Sequence, residues 1–266
     1  MLVGVITGTG TYDIVAPDRS GPLERLLTRF GVAEFRRTTL NDVDVVHLSR
    51  HGEGHPRLSN HVNHRAHAAA LRELGVDAVI GCTVCGAVDP EVALGSVVVF
   101  DDLHFTSNRL PDGSLCTLHV TPGERDRAHW IFDRPYSQRL REALVSAARA
   151  GRFPTVDGGC YGHVDGPRFN TAAEIRGLAE LGVTAVSQTG GPETVLMGEA
   201  ELPYALVGFP TDYANGVGPE TPTVAALEPY FERSRVAFRE LIAQVLPLLS
   251  EFDRPGFQYR FEAPAA

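Results

Sequence analysis

The stretch GVITGTGTYD, Gly4 to Asp13, is an apolar run that breaks into a glycine-rich turn. A strand running straight into glycines is how open α/β folds present a phosphate loop, so the turn raises a choice between a dinucleotide, a nucleotide and a smaller anion. Gly8-Thr9-Gly10 supplies the first half of the dinucleotide fingerprint, but Asp13 stands at the third glycine position. A carboxylate there would face a pyrophosphate with like charge. What remains is either a plain strand–turn or a turn whose backbone N–H groups and Thr9 and Thr11 hydroxyls hold a small anion.

Outward from this turn, short β-branched runs alternate with helical patterns. Strands are expected at Leu2–Thr7, Asp44–Ser49, Asp77–Cys82, Ser96–Asp102, Val183–Ser187 and Tyr204–Phe209. Helices are expected from Asn63, Ser137 and Thr171, each closing on a glycine. A last one, over Thr223–Phe252, is apolar at helical spacing through Leu227, Phe231, Val236, Phe238, Leu241 and Val245. The alternation predicts an α/β fold: a single-domain three-layer sandwich with a central mixed, largely parallel sheet flanked by helices. We expect the domain over residues 1–252 and a C-terminal tail over 253–266, whose end, FEAPAA, looks dispensable. Thr106–Arg134, rich in Pro, Gly, Asp and Arg, is a long excursion of the kind that is functional or lies at a subunit interface.

Composition narrows the function classes. A chain of 266 residues with 43% hydrophobic content can bury a full core. It has no apolar run long enough for a membrane span and no secretory leader pattern, so a soluble, cytoplasmic protein is expected. A formal charge of −9 argues against a nucleic-acid surface, but leaves room for a locally positive pocket. Of the four cysteines, Cys82 and Cys85 form a C-x-x-C pair without the second pair a zinc ribbon needs; they read as small apolar residues at the end of a buried strand.

Ser49–His67 (SRHGEGHPRLSNHVNHRAH) holds five of the ten histidines. His51 and His55 bracket a glutamate, but among glycines and off any helix, which is not the H-E-x-x-H arrangement of a zinc enzyme, so no metal is expected. Arg50 beside His51, directly after a strand, reads as an anion clamp: a guanidinium fork next to a neutral donor. Polar tips therefore arrive at four strand ends: Thr9, Arg50–His51, Thr83 and Thr189. Ligands of parallel α/β sheets bind at the carboxyl ends of strands, and this set suits inorganic phosphate. A further strand end, PTDYANG, brings the carboxylate of Asp212 to the same edge as a candidate proton donor.

With these residues in view, the chain resembles the trimeric purine nucleoside phosphorylases, and within them the 5′-methylthioadenosine phosphorylase branch. GVITGTG, SRHGEGH with VNHRA, CTVCGAV, DGPRFNTAAE, SQTGGPE and TDYANG stand in order from about Gly4 to Leu249. The resemblance implies cleavage of a nucleoside N-glycosidic bond by inorganic phosphate, the co-substrate, with no other cofactor. It places phosphate at Thr9, Arg50, His51, Thr83, Val84 and Thr189. Cys85, Gly86, Phe169, Asn170, Gln188, Asp212 and Ala214 would face the base and sugar, with residue 188 against the ribose and Asp212 near N7. Around the 5′ position would lie Thr223, Ala226 and Leu227. His129 would reach into a neighbouring subunit of a homotrimer. For Asp212 to donate, its pKa must be raised by burial or its proton shared with the purine.

Several positions depart from the resembled pattern. Gln188 replaces a methionine and Thr7 a glycine; Asn170 stands where one branch has serine and another glutamate; Ala214 stands where the methylthioadenosine branch has a second aspartate. The aspartate at 212 and the small or apolar 5′ residues favour 5′-methylthioadenosine or a related 5′-deoxyadenosine; Asn170 and Ala214 keep a 6-oxopurine nucleoside as the alternative. A water-using nucleosidase, a metal-dependent hydrolase and a non-catalytic binding protein are the competing classes.

Overall fold

A computed structural model describes residues 1–15, 21–218 and 223–261. Its strands are β1 (Leu2–Thr7), β2 (Glu24–Thr28), β3 (Gly31–Leu40), β4 (Val43–Ser49), β5 (Ala78–Ala87), β6 (Val97–Val99), β7 (Asp102–His104), β8 (Ala128–Phe132), β9 (Thr155–Asp157), β10 (Cys160–His163), β11 (Val183–Ser187), β12 (Tyr204–Tyr213) and β13 (Gly256–Arg260). The α-helices are α1 (His64–Glu73), α2 (Gln138–Ala150), α3 (Ala172–Glu180), α4 (Gly190–Glu199) and α5 (Val224–Val245). All but β8 and β13 join one mixed sheet, ordered β2-β3-β4-β1-β5-β11-β10-β7, with β12 lying between β5 and β6, and β6 pairing β9. One buried cluster gathers α2 and α5 against β1, β5 and β12; another packs residues of α1 and α4. The expected sandwich is the observed architecture.

The sheet's decisive feature is a fork at β5. Up to Gly81 this strand runs parallel to β1, with Ile6 opposite Gly81. From Gly86 it pairs antiparallel with β11 instead, Val186 opposite Gly86. On its other side β12 follows it throughout, from Tyr204 opposite Val79 to Tyr213 opposite Ala87. Between the two partners the sheet opens, and an open α/β sheet binds its ligands at such a switch.

Local chemistry accounts for most of the expected helix starts. Asn63 accepts from the Ala66 N–H at the start of α1, and Ser137 caps α2. Thr171 and Glu174 form a reciprocal capping box on α3. α4 was not expected: it is buried on nearly every side, so it lacks an amphipathic stripe. Its glycines allow the close approach. A Cβ on Gly190 would sit 2.7 Å from Leu206, and one on Gly198 2.4 Å from Trp130.

Several boundaries differ from expectation; β5 and β12 run on to Ala87 and Tyr213, past the expected Cys82 and Phe209. Ser96–Asp102 is not one strand but the two short strands β6 and β7, which break where the Phe100 N–H turns to the Leu206 carbonyl. The last helix ends at Val245 and is followed by a 3₁₀ turn, Leu246–Leu248. Residues 253–260, placed in the tail, are ordered parts of the fold. Asp253 accepts from the Ser137 hydroxyl at 2.6 Å and from the Arg139 N–H at 2.9 Å, and β13 pairs with β8. Residues 262–266 lie outside the described residues. Among the described residues, no helix is long and apolar enough to cross a membrane.

Candidate active site

The fork opens into a cavity of about 340 Å³ that gathers nearly all the candidate residues. Thr9, Arg50, His51, Thr83, Val84 and Thr189 are among the residues that line it. Cys85, Gly86, Phe169, Asn170, Gln188, Asp212, Ala214 and Leu227 also line it.

On the Arg50 side of the cavity, this arginine is 1% exposed and already bonded to protein. Its Nε donates to Glu193, its Nη2 to the second Glu193 oxygen at 2.8 Å, and its Nη1 to the Cys82 carbonyl at 3.0 Å. That carbonyl belongs to the stretch of β5 that the fork leaves without β1 or β11. Tyr204 donates to Glu193 as well, at 3.0 Å. Burial works against the Arg50 charge, but the paired carboxylate more than offsets it, so Arg50 stays a cation. The expected free fork is thus corrected. The bidentate face belongs to Glu193, and two of the guanidinium's five N–H groups remain for a ligand. Gly8 makes room: a Cβ there would lie 2.6 Å from Arg50 Nη1.

His51 needs a similar correction. It is neutral as expected, with burial and then the Arg50 charge pushing its pKa down to about 4. Its Nδ1, however, lies 2.9 Å from the Arg57 carbonyl, which can only accept, so the ring's proton is spent there. The His55 ring stacks on it at 4.3 Å, and His55 Nδ1 meets the Tyr12 hydroxyl. His64 and His67, from the same cluster, are buried on α1, and burial lowers the pKa of both. Among the described residues, no group of three His, Cys, Asp or Glu side chains is arranged to hold a metal ion.

The other end of the cavity is built around Asp212. A β-bulge at Thr211 sets Pro210 opposite Cys85 and Asp212 opposite Gly86; the extra residue re-aims the carboxylate toward the cavity. Burial pushes the Asp212 pKa up to about 6, against a 2.8 Å hydrogen bond from the Thr211 hydroxyl that pulls it down. Val164, Ile175 and Val186 supply apolar wall. Asn215 donates to the Asn170 carbonyl at 2.7 Å, tying the two loops together, while Phe169 stands over the cavity, 61% exposed.

Gln188, between the two ends, bridges its surroundings. Its Oε1 accepts from Ser59 at 2.7 Å and its Nε2 donates to the Arg168 carbonyl at 3.0 Å. Three expected residues, Thr223, Ala226 and His129, are not among those lining the cavity. Thr223 is the N-cap of α5, accepting from the Ala226 N–H; Leu227 and, one turn further, Phe231 line the cavity instead. His129 lies on β8 opposite Tyr259, beside a separate hollow under the excursion. Thr7 is buried beneath the turn and shares a 2.8 Å hydrogen bond with His47. Asp13 is paired with Arg235 of α5 at 2.8 Å. Glu193 and Ser59 escaped the sequence reading, since only the tertiary pairing with Arg50 and Gln188 reveals them.

The forked sheet thus sets the buried Arg50–Glu193 pair and the half-buried Asp212 carboxyl along one cavity, and comparison with known proteins shows the family to which the chain belongs. Residues 3–247 match the phosphorylase superfamily. Among individual relatives, the chain is 34% identical to the 6-oxopurine nucleoside phosphorylase of Pyrococcus furiosus over 96% of its length and 95% of that protein's. It is likewise 34% identical to the S-methyl-5′-thioadenosine phosphorylase of Mycolicibacterium smegmatis, covering 99% of this chain and 100% of the relative. The solved methylthioadenosine phosphorylase from Schistosoma mansoni in complex with adenine superposes with a TM-score of 0.83 at 26% identity, over 93% of this chain and 91% of that one.

Proposed function

We propose that the chain is a purine nucleoside phosphorylase acting on 5′-methylthioadenosine or a related 5′-deoxyadenosine. The observation that carries this reading is the pairing of an oxyanion end with a carboxyl group, Asp212, whose pKa burial raises to about 6, in one cavity of a phosphorylase-superfamily chain. A phosphate oxygen attacks C1′ while the C1′–N9 bond breaks and its electron pair passes to the purine. Asp212 delivers a proton to N7 of the departing base and recovers one from solvent. The products are the free purine and a ribose 1-phosphate. Phosphate is itself the nucleophile and needs no base to activate it, and no further cofactor enters. Thr9, Thr83, Thr189, the Val84 backbone and the two remaining N–H groups of Arg50 hold it in a preorganised polar site. Gln188 lies against the ribose. Leu227 and Phe231 favour a 5′-deoxy-5′-thio group over a hydroxyl, because they offer it no hydrogen-bond partner.

A second reading, a 6-oxopurine or 5′-thioinosine nucleoside, is favoured by Ala214 and by the Asn170 amide, which can satisfy either edge of the base by turning. Relatives carry names of both kinds. We further propose a homotrimer in which His129 completes a neighbour's site. In support, Ile131, Phe257 and Tyr259 form one exposed apolar face of the β8–β13 ribbon, at 41%, 56% and 55% exposure.

The test is purine release from methylthioadenosine, adenosine, methylthioinosine, inosine and guanosine, with and without phosphate. The expected outcome is phosphate-dependent release, fastest for methylthioadenosine. Release without phosphate would identify a nucleosidase.

A further inference from the structure

We propose that the oxyanion end reads a proton on its ligand: His51 presents a lone pair, so the site takes tetrahedral oxyanions that carry an O–H, such as phosphate and arsenate, in preference to sulfate. This rests on the phosphate reading above and adds the basis of its selectivity.

His51 and Arg57 exchange two hydrogen bonds. The Arg57 N–H donates to the His51 carbonyl at 3.1 Å, and His51 Nδ1 donates to the Arg57 carbonyl at 2.9 Å. With the proton on Nδ1, a neutral imidazole has only an acceptor at Nε2. The stacked His55 ring, 12° from parallel and joined through Nδ1 to Tyr12, holds the imidazole in its plane. His51 lines the cavity with Nδ1 turned away into the loop, which leaves Nε2 for the ligand.

Charge does not discriminate here. Arg50 is matched by Glu193, both 1% exposed, so the pair adds no net charge to the oxyanion end. Around neutral pH and above, phosphate and sulfate are tetrahedral anions of similar size, and on the alkaline side both are doubly charged. They differ in that phosphate keeps an O–H to donate, whereas every sulfate oxygen would turn a lone pair against Nε2. A site built for a hydrogen bond rejects the analogue that cannot make it, because its buried polar group is left unpaired.

The experiment is calorimetric titration of the full chain with phosphate, arsenate and sulfate at about pH 8 and constant ionic strength. Phosphate and arsenate are expected to bind within about threefold of each other, and sulfate about 30-fold more weakly or worse. In His51→Gln the amide can turn its N–H toward the ligand, so the phosphate-to-sulfate ratio should fall to within about threefold; His51→Asn provides a second variant, and a thermal melt of each shows that it is folded. Sulfate binding as tightly as phosphate to the wild type, with phosphate-dependent purine release intact, overturns this inference alone. An unchanged ratio in both folded variants overturns the assignment to His51. Binding of none of the three anions, with purine release indifferent to phosphate, overturns the phosphorylase reading and this inference with it.

Discussion

Asp212 is where chemistry and stability oppose each other. A carboxyl group with a pKa raised to about 6 holds a proton that an exposed aspartate would have lost, and a proton donor to a purine requires that form. The rate of nucleoside cleavage should therefore fall as pH rises through about 6, and Asp212→Ala should lose turnover by about 100-fold or more. The same shift costs stability. Between the ordinary value near 3.8 and about 6, the folded chain binds more protons than the unfolded one, so stability falls as pH rises through that window. Asp212→Asn should gain up to about 3 kcal/mol over the wild type above pH 6 and nothing below about pH 4. Denaturant unfolding of the two proteins at both ends of the window measures this. An equal difference at every pH would mean that burial of the charge is not its cause.

Among the elements, α2 offers the sharpest test, because its start depends on a residue more than a hundred positions away. Asp253 accepts from the Ser137 hydroxyl and from the Gln138 and Arg139 N–H groups, placing a carboxylate at the positive end of the helix. Asp253→Ala should cost about 1 to 2 kcal/mol, read as a lower denaturation midpoint with an unchanged slope. Distance along the chain is also why some elements escaped the sequence. The β1 and β11 strands are apolar runs bounded by turn residues and were legible. β2 alternates half-buried and exposed positions at the sheet's edge and carries charge, so it did not stand out. α4 lacks a polar face, because other elements enclose it on almost every side. The candidate residues were more legible than the fold around them, since Thr9, Arg50, Thr83, Thr189 and Asp212 are polar residues that follow recognisable apolar runs, although Thr83 and Asp212 lie within β5 and β12 rather than past their ends. Glu193 sits inside α4, and its meaning depends on Arg50, 143 residues earlier.

Over the whole molecule, an acidic chain turns one apolar surface outward. Ile131, Phe257 and Tyr259 alternate with Trp130 and Gln258, which face the body of the protein, and the His129 ring meets Phe261 at 5.4 Å. The proposed trimer covers this ribbon. Sedimentation should give three chains for the wild type and a smaller species for Phe257→Asp, with turnover falling in parallel as His129 leaves the neighbouring site. A wild-type monomer at working concentration would leave that role for His129 without support.

The fork in β5 has a mechanical consequence. Thr83 and Val84, proposed to hold phosphate, line the cavity, while Gly86, on the same strand, stands opposite Asp212. In the proposed reaction, the span from nucleophile to leaving group is therefore a length of continuous extended backbone, roughly 10 Å for three residues. Loops such as the one carrying Phe169 can change how a substrate enters. They cannot stretch that ruler, so an acceptable substrate is measured first by whether it fits between two marks on one strand.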